Sequence, residues 1–313
     1  MAALVLPDGT PAAITAGSDR AAFVWNLSTG KRHAPLKGHT SWVNGVAAMV
    51  LPDGTPVAVT ASSDRTAIVW NLATGKRRRA FRGHWSSVRA VAALVLPDGT
   101  AAAITAGDDR SAIVWSLSTG KRLHALEDHS KWVEAVATLV LPNGNPLAVT
   151  ASDDGTAMVW NPATGKRLRT FSDHSSSVHA VAALVLPDGT PAAITAGSDR
   201  TAIVWNPSTG QRIHTMEGHT GSVNAVAALV LSDGTPVAVT AGDDRTAIVW
   251  NLTTGQPVWR LALPAEGRCV SATDAGFVIG CGREIAHFGW NSQMVREAAQ
   301  ARPYRHRPGP SAR

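Results

Sequence analysis

The chain has 313 residues, 44% hydrophobic, 17% charged and 5% aromatic, a balance that excludes a disordered tail protein and admits one large core or two smaller ones. Net charge is +6, but Arg302, Arg305, Arg307 and Arg313 supply four of those charges beyond the last acid, Glu297, and leave the body at +2; that is not the broad basic footprint of a nucleic-acid binder. The longest apolar stretches, such as Ala90–Leu96, fall far short of the roughly 20 residues that cross a bilayer, and the two cysteines, Cys269 and Cys281, provide no disulfide framework, so no membrane association and a cytoplasmic location are expected.

A fixed period runs through the chain. Trp25, Trp70, Trp115, Trp160, Trp205 and Trp250 are 45 residues apart, and His39, His84, His129, His174 and His219 each precede their Trp by 31. Thr15, Thr60, Thr105, Thr150, Thr195 and Thr240 stand ten before the Trp, and Asp19, Asp64, Asp109, Asp154, Asp199 and Asp244 six before it. Four registers in agreement define internal repeats, and these override a domain count taken from length.

The first unit begins part-way, Met1 aligning with Val91 and Val181, without a His loop of its own. In the second unit Trp42–Leu51 predicts a strand closed by Pro52-Asp53-Gly54, a turn whose Gly accepts positive φ. Val57–Ala61 predicts a second strand, Ser62–Arg65 a turn, and Ala67–Trp70 a third strand rich in β-branched residues. After Ala73-Thr74-Gly75, the polar run Arg77–Phe81 suits an outer edge, where charge discourages pairing with other sheets. The third to sixth units repeat this pattern. Beyond Trp259–Leu263 the period is lost, yet Arg268–Ala272, Phe277–Cys281 and Glu284–Trp290 read as three more strands. Residues 291–313 read as a basic, disordered tail, with Gln293–Glu297 a candidate fourth strand for the last unit.

Gly38-His39, Asp64 and Trp70-Asn71, at a period of 45, resemble the WD40 β-propeller family. The resemblance implies an all-β, seven-bladed β-propeller over residues 1–290. Six clear repeats would span about 1–37, 38–82, 83–127, 128–172, 173–217 and 218–263, with a degenerate blade at 264–290. It also implies that the loop His, second-strand Thr, turn Asp and third-strand indole are hydrogen-bonded across each sheet. The sets are His39, Thr60, Asp64 and Trp70; His84, Thr105, Asp109 and Trp115; His129, Thr150, Asp154 and Trp160; His174, Thr195, Asp199 and Trp205; and His219, Thr240, Asp244 and Trp250. These are also the residue types of a catalytic triad, but five equivalent copies tied to a Trp fit a structural role. The sequence departs from the family pattern at Asp128-His129 and Asp173-His174, where Gly-His is usual, and at Trp115-Ser116. Family rings commonly close with an N-terminal strand, so the seam between the first and last blades is expected to be the weakest, and a module detached from a longer signalling protein is one origin that fits.

Differences among repeats point to function. Trp42, Trp85 and Trp132 lie three, one and three residues after His39, His84 and His129, and the resemblance places all three on one face of the disc. Exposed indoles are frequent interface anchors. A second variable register, five residues after each His, holds Asn44, Arg89, Glu134, His179 and Asn224; the residue before each turn Asp varies between Ser (Ser18, Ser63, Ser198) and Asp (Asp108, Asp153, Asp243). Trp42, Trp85, Trp132 and the second register form the candidate partner-binding set, suited to a protein or peptide. The Arg after the turn Asp reads as a solvated turn residue. Thr-Gly-Lys-Arg lacks the earlier Gly of a phosphate-binding loop, and the histidines form no zinc motif, so no cofactor or metal is expected. The expected function is a non-enzymatic interaction scaffold or sensor module. Nucleic-acid association through the tail, or a propeller-based enzyme, are the alternatives.

Overall fold

Val, Ile and Thr crowd the second and third strand of every unit, while Gly, Asp and Pro punctuate the turns, so each unit has local means only for short extended segments. The computed structural model describes residues 1–33, 35–273, 276–282 and 284–290. Among them lie 27 strands and no helix. In the second unit the strands are Val43–Val50, Pro56–Ser62, Thr66–Asn71 and Arg77–Arg82, within a residue or two of the sequence reading.

Six sheets have four antiparallel strands in chain order, and a seventh has three: Gly267–Thr273, Gly276–Cys281 and Glu284–Gly289. The first strand of each sheet packs beside the first strand of the next, and Gly267–Thr273 returns to Ala2–Val5. This closed ring of radial sheets is a seven-bladed β-propeller, with each first strand innermost. At the closing seam Ala2–Leu4 are only half buried and Val5 is exposed. Gln293–Glu297 and the rest of 291–313 lie outside the described residues.

The cores sit between blades. Those between blades one and six consist of the second and outer strands of one blade packed on the Trp of the next, with a Trp-bearing side that barely changes: Ala58, Ile68 and Trp70 in the second blade, Ala148, Met158 and Trp160 in the fourth. The opposing side alternates. Odd blades present Ala, Ile and Leu or Met (Ala12, Ile14, Leu36; Ala192, Ile194, Met216). Blades two and four present Val or Leu, Val and Phe (Val57, Val59, Phe81; Leu147, Val149, Phe171), and blade six Val237, Val239 and Leu261. The two phenylalanines stack flat on the next indole, Phe81 on Trp115 at 5.1 Å and Phe171 on Trp205 at 4.5 Å between ring centres. Two side-chain sets therefore fill equivalent spaces between blades.

Every innermost strand from the second blade onward is bulged at one place. Val43 pairs with Ser62 and Gly45 with Ala61, leaving Asn44 over. The same skip isolates Arg89, Glu134, His179, Asn224 and Arg268. A bulge bends its strand and re-aims the extra side chain.

Candidate functional site

The His loop, the second strand, the following turn and the third strand of a blade converge at one end of the sheet. In blades two to six the His Nδ1 lies 2.7 to 2.9 Å from the turn Asp, and its Nε2 lies 2.7 to 2.8 Å from the Thr Oγ1. The indole Nε1 donates to the same Oγ1 at 2.8 to 2.9 Å. With the His proton on Nδ1, that nitrogen donates to the carboxylate and Nε2 accepts from the hydroxyl, which itself accepts from the indole. Blade one keeps only the last link, Trp25 to Thr15. Thr60, Thr105, Thr150, Thr195 and Thr240 are fully buried, so their hydroxyls are presented to no substrate. Among the described residues no buried side-chain polar atom lacks a partner.

Electrostatics follow from this packing. Burial opposes ionisation of Asp64, but hydrogen bonds from Thr66, the Thr40 N–H and His39 outweigh it and hold the pKa below its ordinary value. Asp109, Asp154, Asp199 and Asp244 are lowered in the same way. Burial depresses His129 and His219 despite their carboxylate partners, keeping both neutral.

Above this layer the bulged residues meet the residues that precede the turn Asp, so two variable registers form one set of pairs. Asn44 Nδ2 donates to Ser63 Oγ at 2.9 Å and, across the blade boundary, to the Val88 carbonyl at 2.8 Å. Arg89 Nε donates to Asp108 Oδ1 at 2.6 Å, His179 Nε2 lies 2.6 Å from Ser198 Oγ, and Asn224 Nδ2 donates to Asp243 Oδ1 at 2.6 Å and to the Gly267 carbonyl at 3.2 Å. In blade four both members, Glu134 and Asp153, are acids. Burial raises the Glu134 pKa; Arg89 opposes the rise, while Asp153 and Asp108 add to it. Sequence reasoning missed Arg268, the bulged residue of the degenerate blade, which bridges Asp243 at 3.5 Å and pairs with Glu266. The lost 45-residue period hides it.

Trp42, Trp85 and Trp132 are 61%, 66% and 47% exposed. Their backbones are fixed: the Trp42 and Trp132 carbonyls accept from the N–H of Ser63 and Asp153, and the Trp85 N–H donates to Asp109. The Arg89 guanidinium lies 5.2 Å from the Trp132 ring centre, a cation–π contact across blades.

A family model described as "WD domain, G-beta repeat" matches five times, at residues 30–71, 75–116, 120–161, 165–206 and 210–251, more than half of the chain. The chain belongs to the WD40 family. A search of curated proteins gives no match. Each matched WD40 repeat starts just before the outer strand of one blade and ends in the third strand of the next. The units are thus staggered against the blades by one strand. WD40 propellers commonly serve as protein-interaction scaffolds.

The departures from the WD40 pattern have geometric reasons. At Gly38 an added Cβ would meet the Trp70 ring at 2.9 Å, yet blades four and five carry Asp at this place, where Asp128 reaches Arg167 at 3.4 Å and Asp173 reaches Arg212 at 3.0 Å. The Arg after the turn Asp is left-handed in every copy, with φ of 56° to 69° at Arg20, Arg65, Arg110, Arg200 and Arg245; Gly155 adopts the same conformation at 82° without the Cβ penalty.

Proposed function

We propose that this WD40 propeller, residues 1–290, is a non-enzymatic protein-interaction scaffold or sensor module that docks a protein or peptide segment on the face carrying the His and Asp loops. The observation that carries the reading is the set of three exposed indoles on consecutive blades, each held on a loop tied by backbone hydrogen bonds. Aromatic anchors presented from fixed loops bind with little loss of conformational freedom. The bulged set Asn44, Arg89, Glu134, His179 and Asn224 supplies the polar surround, as at ordinary interfaces. We further propose that the protein acts in the cytoplasm; its two cysteines sit on opposite faces of the last sheet, where Cys269 shares a face with Gly280 and Cys281 points the other way, so they cannot be bridged.

The test compares the parent with a Trp42→Ala, Trp85→Ala, Trp132→Ala variant of unchanged circular dichroism, both immobilised and exposed to source-cell extract, with retained proteins remeasured in purified form. A purified partner that binds the parent and is at least about 100-fold weaker on the variant supports the reading. Equal affinity for both would move the site off this face.

A further inference from the structure

The register at the start of the outer strand holds Arg32, Arg77, Arg122, Arg167 and Arg212 in blades one to five, and Arg32 lies over the Phe23 and Trp25 rings of its own blade. In three of these blades the Arg meets a carboxylate of the chain itself: Arg122 with Glu127 at 3.5 Å, Arg167 with Asp128 at 3.4 Å and Arg212 with Asp173 at 3.0 Å. Blade two breaks the pattern twice. Gly38 stands where blades four and five have Asp128 and Asp173, and Arg82 stands where blade three has Glu127. Both acids are thus replaced at once, and one of them by a second cation. Among the described residues no carboxylate lies within ion-pair distance of Arg77 or Arg82. The two arginines instead line a pocket of about 130 Å³ on the flank of the blade, together with Gly38, Thr40, Asp64 and Thr66.

We propose that this pocket takes a carboxylate from an acidic side chain of a protein partner. Blades four and five provide the precedent within the same molecule: where Gly38 is Asp, a carboxylate sits on the equivalent Arg. Two guanidinium groups about one carboxylate supply charge-assisted, paired hydrogen bonds that a lysine could not match. Asp64 is no obstacle. Its Oδ1 accepts from the N–H and hydroxyl of Thr66, and its Oδ2 from His39 and the Thr40 N–H. Moreover, Asp154 and Asp199 occupy the same place in blades four and five and coexist there with Asp128 and Asp173.

The inference rests on the scaffold reading for the partner being a protein, but its chemistry is measurable on the isolated chain. N-acetylated tetra-aspartate amide, and in parallel inorganic phosphate, are titrated into isotope-labelled protein while the amide resonances of Gly38, Thr40 and Thr66 are followed. The expected result is saturable movement of these amides by tetra-aspartate with those of Asp128 and Asp173 unmoved. The dissociation constant should weaken at least about tenfold in Arg77→Gln and in Arg82→Glu, the latter reproducing the Arg122 and Glu127 arrangement. Both side chains are exposed, and the unchanged remainder of the spectrum reports that the variants fold. Shifts spread evenly over all blades, absence of saturation, or an Arg82→Glu protein that binds like the parent would overturn the assignment; so would saturation by phosphate alone. The triple tryptophan variant leaves the pocket intact, so loss of the partner with retained tetra-aspartate binding marks failure of the one reading without the other.

Discussion

The buried chain of His, Thr, Asp and Trp and the bulged rim above it draw on neighbouring residues of the same strands, yet the first is repeated five times without change and the second differs in almost every blade. The contrast has a physical origin. A fully buried hydroxyl that must serve both an indole and an imidazole admits few substitutes, because each loss strands a polar group away from water. At the rim, solvent completes whatever the pair leaves open, so Asn with Ser, Arg with Asp and even Glu with Asp are all tolerated. Invariance therefore marks what holds the blade, and variation marks the surface on which we propose a partner is read.

The sharpest way to break this contrast is to remove one indole from each layer. Trp160→Ala, in a core shared with blade three, should cost roughly 3–5 kcal/mol in denaturant unfolding, whereas Trp85→Ala should stay within about 0.5 kcal/mol. Similar losses at both sites would erase the distinction. Next in size, Thr105→Val keeps the shape but leaves the Trp115 N–H and His84 Nε2 without their partner; a loss of about 2–4 kcal/mol is expected, and a neutral result would mean that the polar chain is dispensable.

Acid should dissolve the inner layer in two stages. His129 and His219 have folded pKa values below the ordinary value of about 6.5, so their contribution is complete above that pH and is lost as pH falls through the folded values. The five turn carboxylates are also depressed, and their contribution, complete above about 3.9, goes as pH falls through their own lower values. A melting temperature that held steady or rose between pH 6.5 and 4 would contradict the network. The smallest effect concerns the rim. Glu134 is raised by burial and faces Asp153, so its charge opposes folding at neutral pH; Glu134→Gln should stabilise by a few tenths of a kcal/mol, about the size of a relieved like-charge pair. Destabilisation would show that the acid belongs to the inner layer instead.

Spacing made six blades and the polar chains legible in the sequence, because a 45-residue step repeats the His, Thr, Asp and Trp registers, and local strand signals alone added the seventh blade. The rim was legible only as two separate variable registers. That Asn44 meets Ser63, or Arg89 meets Asp108, depends on a bulge, and a bulge is created by one unpaired residue that no composition cue announces. Asp128 and Asp173 looked like departures from a loop motif for a similar reason: their arginines lie on the outer strand of the blade the loop enters, and only the folded chain brings Arg167 and Arg212 back to them. The degenerate blade kept its alternation of apolar residues but not its register, which concealed Arg268.

The one-strand stagger between repeat and blade has a mechanical side. Each matched repeat begins in one blade and ends in the next, so five repeats carry the backbone over five junctions of the ring, and the link from Pro257–Ala262 to Gly267–Thr273 carries it over a sixth. Among the described residues, the seam between Ala2–Val5 and Gly267–Thr273 is the one junction held by strand contact without a backbone crossing. A load applied across the two ends of the described chain would part that seam like a clasp, and the six laced junctions would stay shut until whole strands were peeled away.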